Sequence, residues 1–189
     1  MAGWRLHHDG FPSLQGVAII YPHTSNWDFP VMLLAKWAIG VPVRFWGKDS
    51  LFRIPLFGRW LRRLGGVPVD RRSSSGAVGT MVGLMGQARD RGEVFWLALS
   101  PEGTRNFTSG WRSGFYRVAL EAGVPVAVIG LDYRDRTIDV SRFVRLQGQE
   151  AADYGILAAA LDGVVGHHPE KASPVCPLAA PARIVKEST

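Results

Sequence analysis

The apolar residues of this chain fall into short runs separated by proline, glycine and charged residues. Short runs of β-branched, aromatic and other apolar side chains predict strands over residues 17–21, 43–46, 67–70, 94–99 and 126–131. Longer apolar stretches that begin near Ser, Asn or Asp and end near a glycine predict helices. These helices are expected over residues 29–39, 49–64, 77–91, 114–122 and 151–165.

Strands that alternate with helices predict an α/β fold, in which a single-domain layered sheet, mostly parallel or mixed, is flanked by helices. Two further short runs, over residues 137–140 and 143–146, predict a hairpin. We assign the domain to residues 1–165. The proline-rich remainder, residues 166–189, is expected to be a loosely ordered C-terminal tail.

The helical stretch that leads to Arg91 carries glycines near one face, at positions 76, 79, 83 and 86. Each helical glycine costs roughly 0.5–1 kcal/mol relative to alanine. We therefore expect a neighbouring backbone to pack closely against these glycines and offset their cost.

The charge balance narrows the range of partners. Among 189 residues, 22 Lys and Arg stand against 16 Asp and Glu, giving a net charge of +6 that is concentrated in residues 44–72. A basic protein favours anionic partners such as nucleic acid, phosphorylated metabolites or a lipid surface. The single cysteine, Cys176, excludes an intramolecular disulfide and a thiolate-rich zinc site, which is typical of a cytoplasmic protein.

Any contact with a membrane is expected to be peripheral. No apolar stretch reaches the ~20 residues of a spanning helix, and the N-terminus carries no recognisable secretory signal. In residues 54–65 (IPLFGRWLRRLG), apolar side chains recur at helical spacing while the arginines lie off that stripe. This cationic, amphipathic pattern fits docking on an anionic membrane surface. It fits equally well a helix that packs its stripe on the core.

His23 and Asp28 form the first candidate catalytic pair. Their H-x4-D spacing cannot place both side chains on one helical face, because five residues at about 100° each leave them about 140° apart. They meet only if His23 lies between the first strand and the helix, at the sheet edge where α/β proteins bind ligands. A carboxylate there would fix the imidazole tautomer and favour a general base. A structural histidine held by a helix-start carboxylate fits the same spacing.

Two more polar clusters follow predicted strands. Residues 100–105 (SPEGTR) come directly after the strand over residues 94–99, and residues 70–72 (DRR) end another strand. Glycine allows close backbone approach, while a threonine hydroxyl and an arginine suit a phosphate or carboxylate. Polar clusters at three strand ends favour one shared site over three ordinary turns.

Other kinds of site are not expected. The chain has no G-x-S-x-G elbow, no Walker A spacing and no G-x-G-x-x-G motif. His167 and His168 lie in the predicted tail, and we interpret them as part of a solvated loop. We therefore predict no metal site.

Four segments resemble, in order and approximate spacing, the sequence blocks of the glycerolipid acyltransferases typified by lysophosphatidic acid acyltransferase. They are HTSNWD (23–28), GVPVDR (66–71), PEGTR (101–105) and GVPV (123–126). The resemblance spans about residues 17–131. It implies an α/β fold with a His/Asp pair in a groove beside the membrane, where a fatty acyl group passes from a thioester to a lipid hydroxyl.

Through this resemblance, His23 is expected to be the general base and Asp28 its orienting partner. The positions that match acceptor-binding residues are Lys48, Arg71, Glu102, Gly103, Thr104 and Arg105. The implied donor is acyl-CoA or acyl-ACP, the implied acceptor is a lysophospholipid such as 1-acyl-glycerol-3-phosphate, and no further cofactor is implied. The protein is expected to be cytoplasmic and peripherally associated with the inner face of the membrane, through residues 54–65.

Two other functions stay open. In an acyl thioesterase, water would replace the acceptor hydroxyl, and the phosphate-suited residues would lack a purpose. A basic nucleic-acid-binding module would use the cationic surface and the tryptophans. No recognised nucleic-acid-binding motif is present, and most tryptophans lie in apolar runs, so no nucleic-acid partner is expected.

Overall fold

The computed structural model describes residues 3–69 and 74–179, in which seven strands form one sheet and six helices surround it. The strands are β1 (Arg5–His7), β2 (Gln15–Tyr21), β3 (Val43–Lys48), β4 (Gly66–Val69), β5 (Phe95–Leu99), β6 (Val126–Asp132) and β7 (Thr137–Val144). The helices are α1 (Asp28–Ile39), α2 (Asp49–Phe52), α3 (Phe57–Arg63), α4 (Ser74–Asp90), α5 (Gly114–Ala122) and α6 (Glu150–Ala160).

The strands follow the spatial order β1-β7-β6-β2-β5-β3-β4. Neighbours from β6 to β4 run parallel, whereas β7 is antiparallel to β6 and pairs in parallel with β1. The predicted mixed, mostly parallel α/β sheet is confirmed. Because β2, β3 and β5 are parallel neighbours, their carboxyl ends lie at one edge of the sheet, and the turns that follow them are brought together there.

Both faces of the sheet are covered, which explains the apolar runs of the central strands. Every residue of β5 and of β6 is buried, as expected for parallel strands between two helical layers. On one face, Met81 of α4, Phe115 of α5 and Leu157 of α6 belong to a single buried cluster. On the other face, Ala35 of α1 packs among a second cluster that includes Trp96.

The predicted hairpin over residues 137–146 is wrong. Residues 137–144 form the single strand β7, whose antiparallel partner is β6, with Asp132 opposite Thr137. Ile138 and Val140 are buried at alternate positions, so one continuous strand keeps both on the core face. The sequence also gave no indication of the short edge strand β1.

The predicted packing around the glycines of α4 is wrong as well. A Cβ added at Gly79, Gly83 or Gly86 would meet no atom within 4 Å. The buried stripe of α4 is formed instead by side chains such as Val78 and Met81. These glycines thus face open space, and the structure offers no compensation for their helical cost.

No helix in the described part of the chain is long and apolar enough to cross a membrane.

Candidate active site

His23 lies in the turn between β2 and α1, as the spacing of His23 and Asp28 requires. Its Nδ1 is 2.9 Å from Oδ2 of Asp28. The Asp28 side chain is 2% exposed, whereas that of His23 is 26% exposed. A proton on Nδ1 in this contact leaves the Nε2 lone pair free to accept a proton from a substrate.

Asp28 is held by further donors. Its Oδ2 accepts hydrogen bonds from the backbone N–H groups of Thr24 and Ser25, both at 2.9 Å. Its Oδ1 accepts one from the Tyr133 hydroxyl at 2.8 Å. Burial acts to raise the pKa of Asp28, but the hydrogen bonds from His23, Ser25 and Tyr133 outweigh it and hold that pKa below its ordinary value. Asp28 is therefore a carboxylate at neutral pH.

Glu102 is a second buried carboxyl group beside His23. It follows β5 and is 1% exposed. Its Oε2 accepts a hydrogen bond from the His23 backbone N–H at 2.5 Å, and its Oε1 accepts one from the Ser173 N–H at 3.0 Å. Burial raises its pKa, although these hydrogen bonds oppose the shift. Since the protein itself binds both oxygens, the contact of Glu102 with an acceptor stays a prediction, while its link to the His23 turn is direct.

The C-terminal part of the described chain closes over these turns. We call residues 166–178 the strap. The His168 N–H donates to the Thr24 hydroxyl at 3.1 Å, and Trp111 and Pro177 form a β-bridge. The domain boundary at residue 165 stays a prediction. The strap, however, is held by specific hydrogen bonds to both site turns, in contrast to the loosely ordered tail expected there.

The other residues predicted to bind the acceptor that the structure describes follow β5 or end β3, at the carboxyl-end edge of the sheet. Gly103, Thr104 and Arg105 form the turn after β5, where Gly103 has a φ of +68°, a region that favours glycine. The Thr104 hydroxyl accepts a hydrogen bond from the Asn106 N–H at 3.3 Å. Arg105 is exposed. Lys48 is exposed at the end of β3. Arg71 lies outside the described residues.

An apolar cavity of about 170 Å³ lies between α1 and the sheet, and both His23 and Asp28 line it. Ala18 of β2 and Ala98 of β5 face each other in register and also line it. Ala127 of β6 is the partner of Ala18 on its other side. Small side chains at matching positions of neighbouring strands leave room under the helix. The alanines are visible in the sequence but their alignment is not, so the resemblance implied a groove at the His/Asp pair without indicating which residues form it.

Comparisons with known proteins agree with this architecture. A family model described as Acyltransferase matches residues 5–132. The 1-acyl-sn-glycerol-3-phosphate acyltransferase of Escherichia coli (strain K12) is 29% identical over 123 residues, which make up 64% of this chain and 48% of that protein. The chain thus spans about half the length of this curated relative.

A solved structure is also similar. The crystal structure of the 1-acyl-sn-glycerophosphate (LPA) acyltransferase from Thermotoga maritima matches with a TM-score of 0.54 at 18% identity. The match covers 84% of this chain and 69% of that chain. At this level of identity, the likeness establishes the shared fold.

Substitution of Gly166 tests how the strap acts on the His23 turn. A Cβ at Gly166 would lie 2.7 Å from Pro22 Cγ and 2.8 Å from Thr24 Oγ1. We expect Gly166→Ala to shift the backbone amide resonances of His23 and Thr24 in ¹⁵N NMR spectra and to cost about 1–3 kcal/mol of stability through overpacking. The matched control is Gly155→Ala in α6, where an added Cβ meets nothing within 4 Å. Unchanged His23 resonances in Gly166→Ala would contradict this coupling.

Proposed function

Because this chain belongs to the acyltransferase family, we propose that it moves a fatty acyl group from an acyl thioester, acyl-CoA or acyl-ACP, to a lipid hydroxyl. The proposed acceptor is a lysophospholipid or related glycerolipid such as 1-acyl-glycerol-3-phosphate, which is the substrate class in the names of both relatives. One observation carries the proposal: the His23–Asp28 pair lines an apolar cavity. The proposed base, His23, therefore lies next to a space that can hold an alkyl chain.

In the proposed reaction, Nε2 of His23 removes the acceptor's hydroxyl proton as that oxygen attacks the thioester carbonyl carbon. The new C–O ester bond forms, the C–S bond breaks, and the proton passes from the imidazolium to the departing thiolate. No acyl-enzyme intermediate is needed. The thiolate leaves with the electron pair of the C–S bond and receives the proton that His23 took from the hydroxyl. The reaction therefore needs no cofactor besides the thioester co-substrate.

The role of Asp28 in this step is electrostatic. The imidazolium that forms on His23 carries its positive charge 2.9 Å from a carboxylate that is already ionised. A carboxylate at this distance lowers the energy of the positive charge that develops on the imidazole as the proton is transferred. Tyr133 supports the arrangement, since its hydroxyl fixes the carboxylate oxygen that faces away from His23.

The cavity supports an alkyl chain as the transferred group. Its lining from α1 includes Phe29, Met32 and Leu33, and the sheet contributes Ile129 from β6. Burial of each CH₂ group in such surroundings contributes about 0.8 kcal/mol. A fatty acyl chain is thereby favoured over a short or polar acyl group.

The exposed part of residues 54–65 supports the proposed membrane contact. The Leu61 side chain is only 4% exposed, whereas those of Leu56, Phe57 and Trp60 are 78%, 40% and 44% exposed. Arg59 and its neighbouring arginines in α3 are also exposed. The segment therefore packs one side on the core and leaves apolar and cationic side chains for the headgroup region of an anionic bilayer at the inner face of the membrane.

Removal of the proposed base tests the chemistry. A positioned general base contributes typically 10²–10⁴ in rate, and we expect His23→Ala and His23→Gln to lower acyl-CoA-dependent thiol release in the presence of lysophospholipid by about that factor. The control is His7→Ala, which alters an exposed histidine on β1. Thermal unfolding establishes that each variant is folded. Near-normal thiol release by the folded His23 variants would refute the role of this residue.

Ala98→Leu tests the cavity as the acyl site. The larger side chain would occupy space between α1 and the sheet, so we expect a greater loss of rate with palmitoyl-CoA than with butyryl-CoA. The short donor serves as the internal control, because overpacking by itself costs about 1–3 kcal/mol of stability and affects both donors alike. An equal loss with both donors would mean that the acyl chain lies elsewhere.

Vesicle flotation tests the membrane contact. The protein is expected to float with phosphatidylglycerol vesicles and less with phosphatidylcholine vesicles, because exposed basic side chains add about 1 kcal/mol each at an anionic surface. Leu56→Ser and Trp60→Ser should reduce flotation. Ile156→Ser is the matched control, since Ile156 is 49% exposed on α6. Failure of the unaltered protein to float with anionic vesicles would exclude this surface as a membrane contact.

A further inference from the structure

Arg112 is a basic residue that no sequence motif singled out and that the fold brings to the edge of the candidate site. Its backbone N–H donates to the Pro101 carbonyl at 2.9 Å, which ties residue 112 back to the turn after β5. The preceding residue, Trp111, is fully buried and fixes the backbone at this point. Arg112 itself is exposed.

The side chain of Arg112 lies directly over Gly103. A Cβ added at Gly103 would be 2.6 Å from both Cδ and Nε of Arg112. No real Cβ tolerates such contacts, so any other residue at position 103 would push the arginine away. The absence of a side chain at Gly103 thus lets Arg112 lie across the turn formed by residues 101–105.

No carboxylate in the described residues forms an ion pair that would explain this placement. Arg53, Arg91 and Arg117 each pair with a nearby carboxylate, whereas Arg112 forms no ion pair within the described part of the chain. The neighbouring carboxyl group of Glu102 is buried and accepts hydrogen bonds from two backbone amides. A guanidinium that packs against the turn and pairs with none of the described carboxylates is available for an external anion.

The position of this cation relates it to the reacting groups. Glu102 connects the turn that carries Gly103 to the backbone of His23 through one hydrogen bond. The turn on which Arg112 packs is thus joined directly to the turn that carries His23. A guanidinium binds a phosphate with two parallel hydrogen bonds, which an ammonium or a hydroxyl cannot reproduce.

We propose that Arg112 binds the phosphate group of the acyl acceptor and thereby selects phosphate-bearing over neutral acceptors. This inference rests on the proposed function, since it places the anion on the acceptor lipid. Arg112 would act together with the exposed Arg105, and it would leave the chemistry at His23 unchanged. Its loss should therefore affect the KM for an anionic acceptor rather than kcat.

The test compares Arg112→Gln, Arg112→Lys and the unaltered protein with 1-acyl-glycerol-3-phosphate and with 1-monoacylglycerol of the same chain length. Loss of a hydrogen-bonded charge pair weakens binding by about 10- to 100-fold. We expect Arg112→Gln to raise the KM for the phosphate-bearing acceptor by that factor, with kcat and the kinetics of the neutral acceptor nearly unchanged. Arg112→Lys should recover part of the loss. Arg117→Gln, on α5 and paired with Glu121, is the control for the change of net charge.

Direct binding separates this inference from the proposed function. Isothermal titration of 1-acyl-glycerol-3-phosphate without a thioester donor measures the acceptor site alone. Tight binding that is lost in Arg112→Gln supports the inference even if no thiol is released. If Arg112→Gln and the unaltered protein turn over with the same KM for 1-acyl-glycerol-3-phosphate, the inference is overturned and the proposed function stays intact. Absence of binding to the unaltered protein also overturns it.

Discussion

The buried carboxylate of Asp28 gathers the active-site turn around itself. Four donors converge on its two oxygens: the His23 imidazole, two backbone amides of the turn and the Tyr133 hydroxyl. A buried carboxylate without such partners would cost several kcal/mol or become protonated. The turn between β2 and α1 is therefore shaped by the need to satisfy this charge, and that shape points His23 at the cavity.

Glu102 and the strap extend this network to the second half of the site. Glu102 joins the turn after β5 to the His23 turn, and its other oxygen binds the backbone of the strap at Ser173. Both Tyr133 and the strap lie beyond residues 5–132, the part that the family model matches. The proposed catalytic pair is thus positioned partly by residues outside the family's own sequence blocks.

The sequence allowed local features to be predicted well and long-range ones poorly. Short apolar runs located β2, β5 and β6, because central parallel strands between two helical layers are apolar along most of their length. The spacing of His23 and Asp28 placed the histidine before the helix, because helical geometry allows no other convergence. Both inferences need only neighbouring residues.

The features that escaped prediction depend on distant residues. Tyr133 reaches Asp28 across 105 positions, and the alanine row under α1 requires the register of three strands. Arg112 lies over Gly103 only because Trp111 and the strap bring the chain back to the turn after β5. The glycines of α4 led to a wrong prediction for a different reason. Their local spacing suggested close packing, but no neighbouring element packs against them.

The balance of products from the unaltered protein decides whether this site passes an acyl group from a thioester to a lipid hydroxyl or to water. Palmitoyl-CoA is incubated with and without 1-acyl-glycerol-3-phosphate, and free thiol, diacyl product and free fatty acid are quantified by mass spectrometry. For an acyltransferase we expect thiol release that depends on the acceptor and equals the diacyl product formed. Thiol release that equals the free fatty acid formed and does not change with the acceptor would instead identify a thioesterase and rule out the proposed transfer.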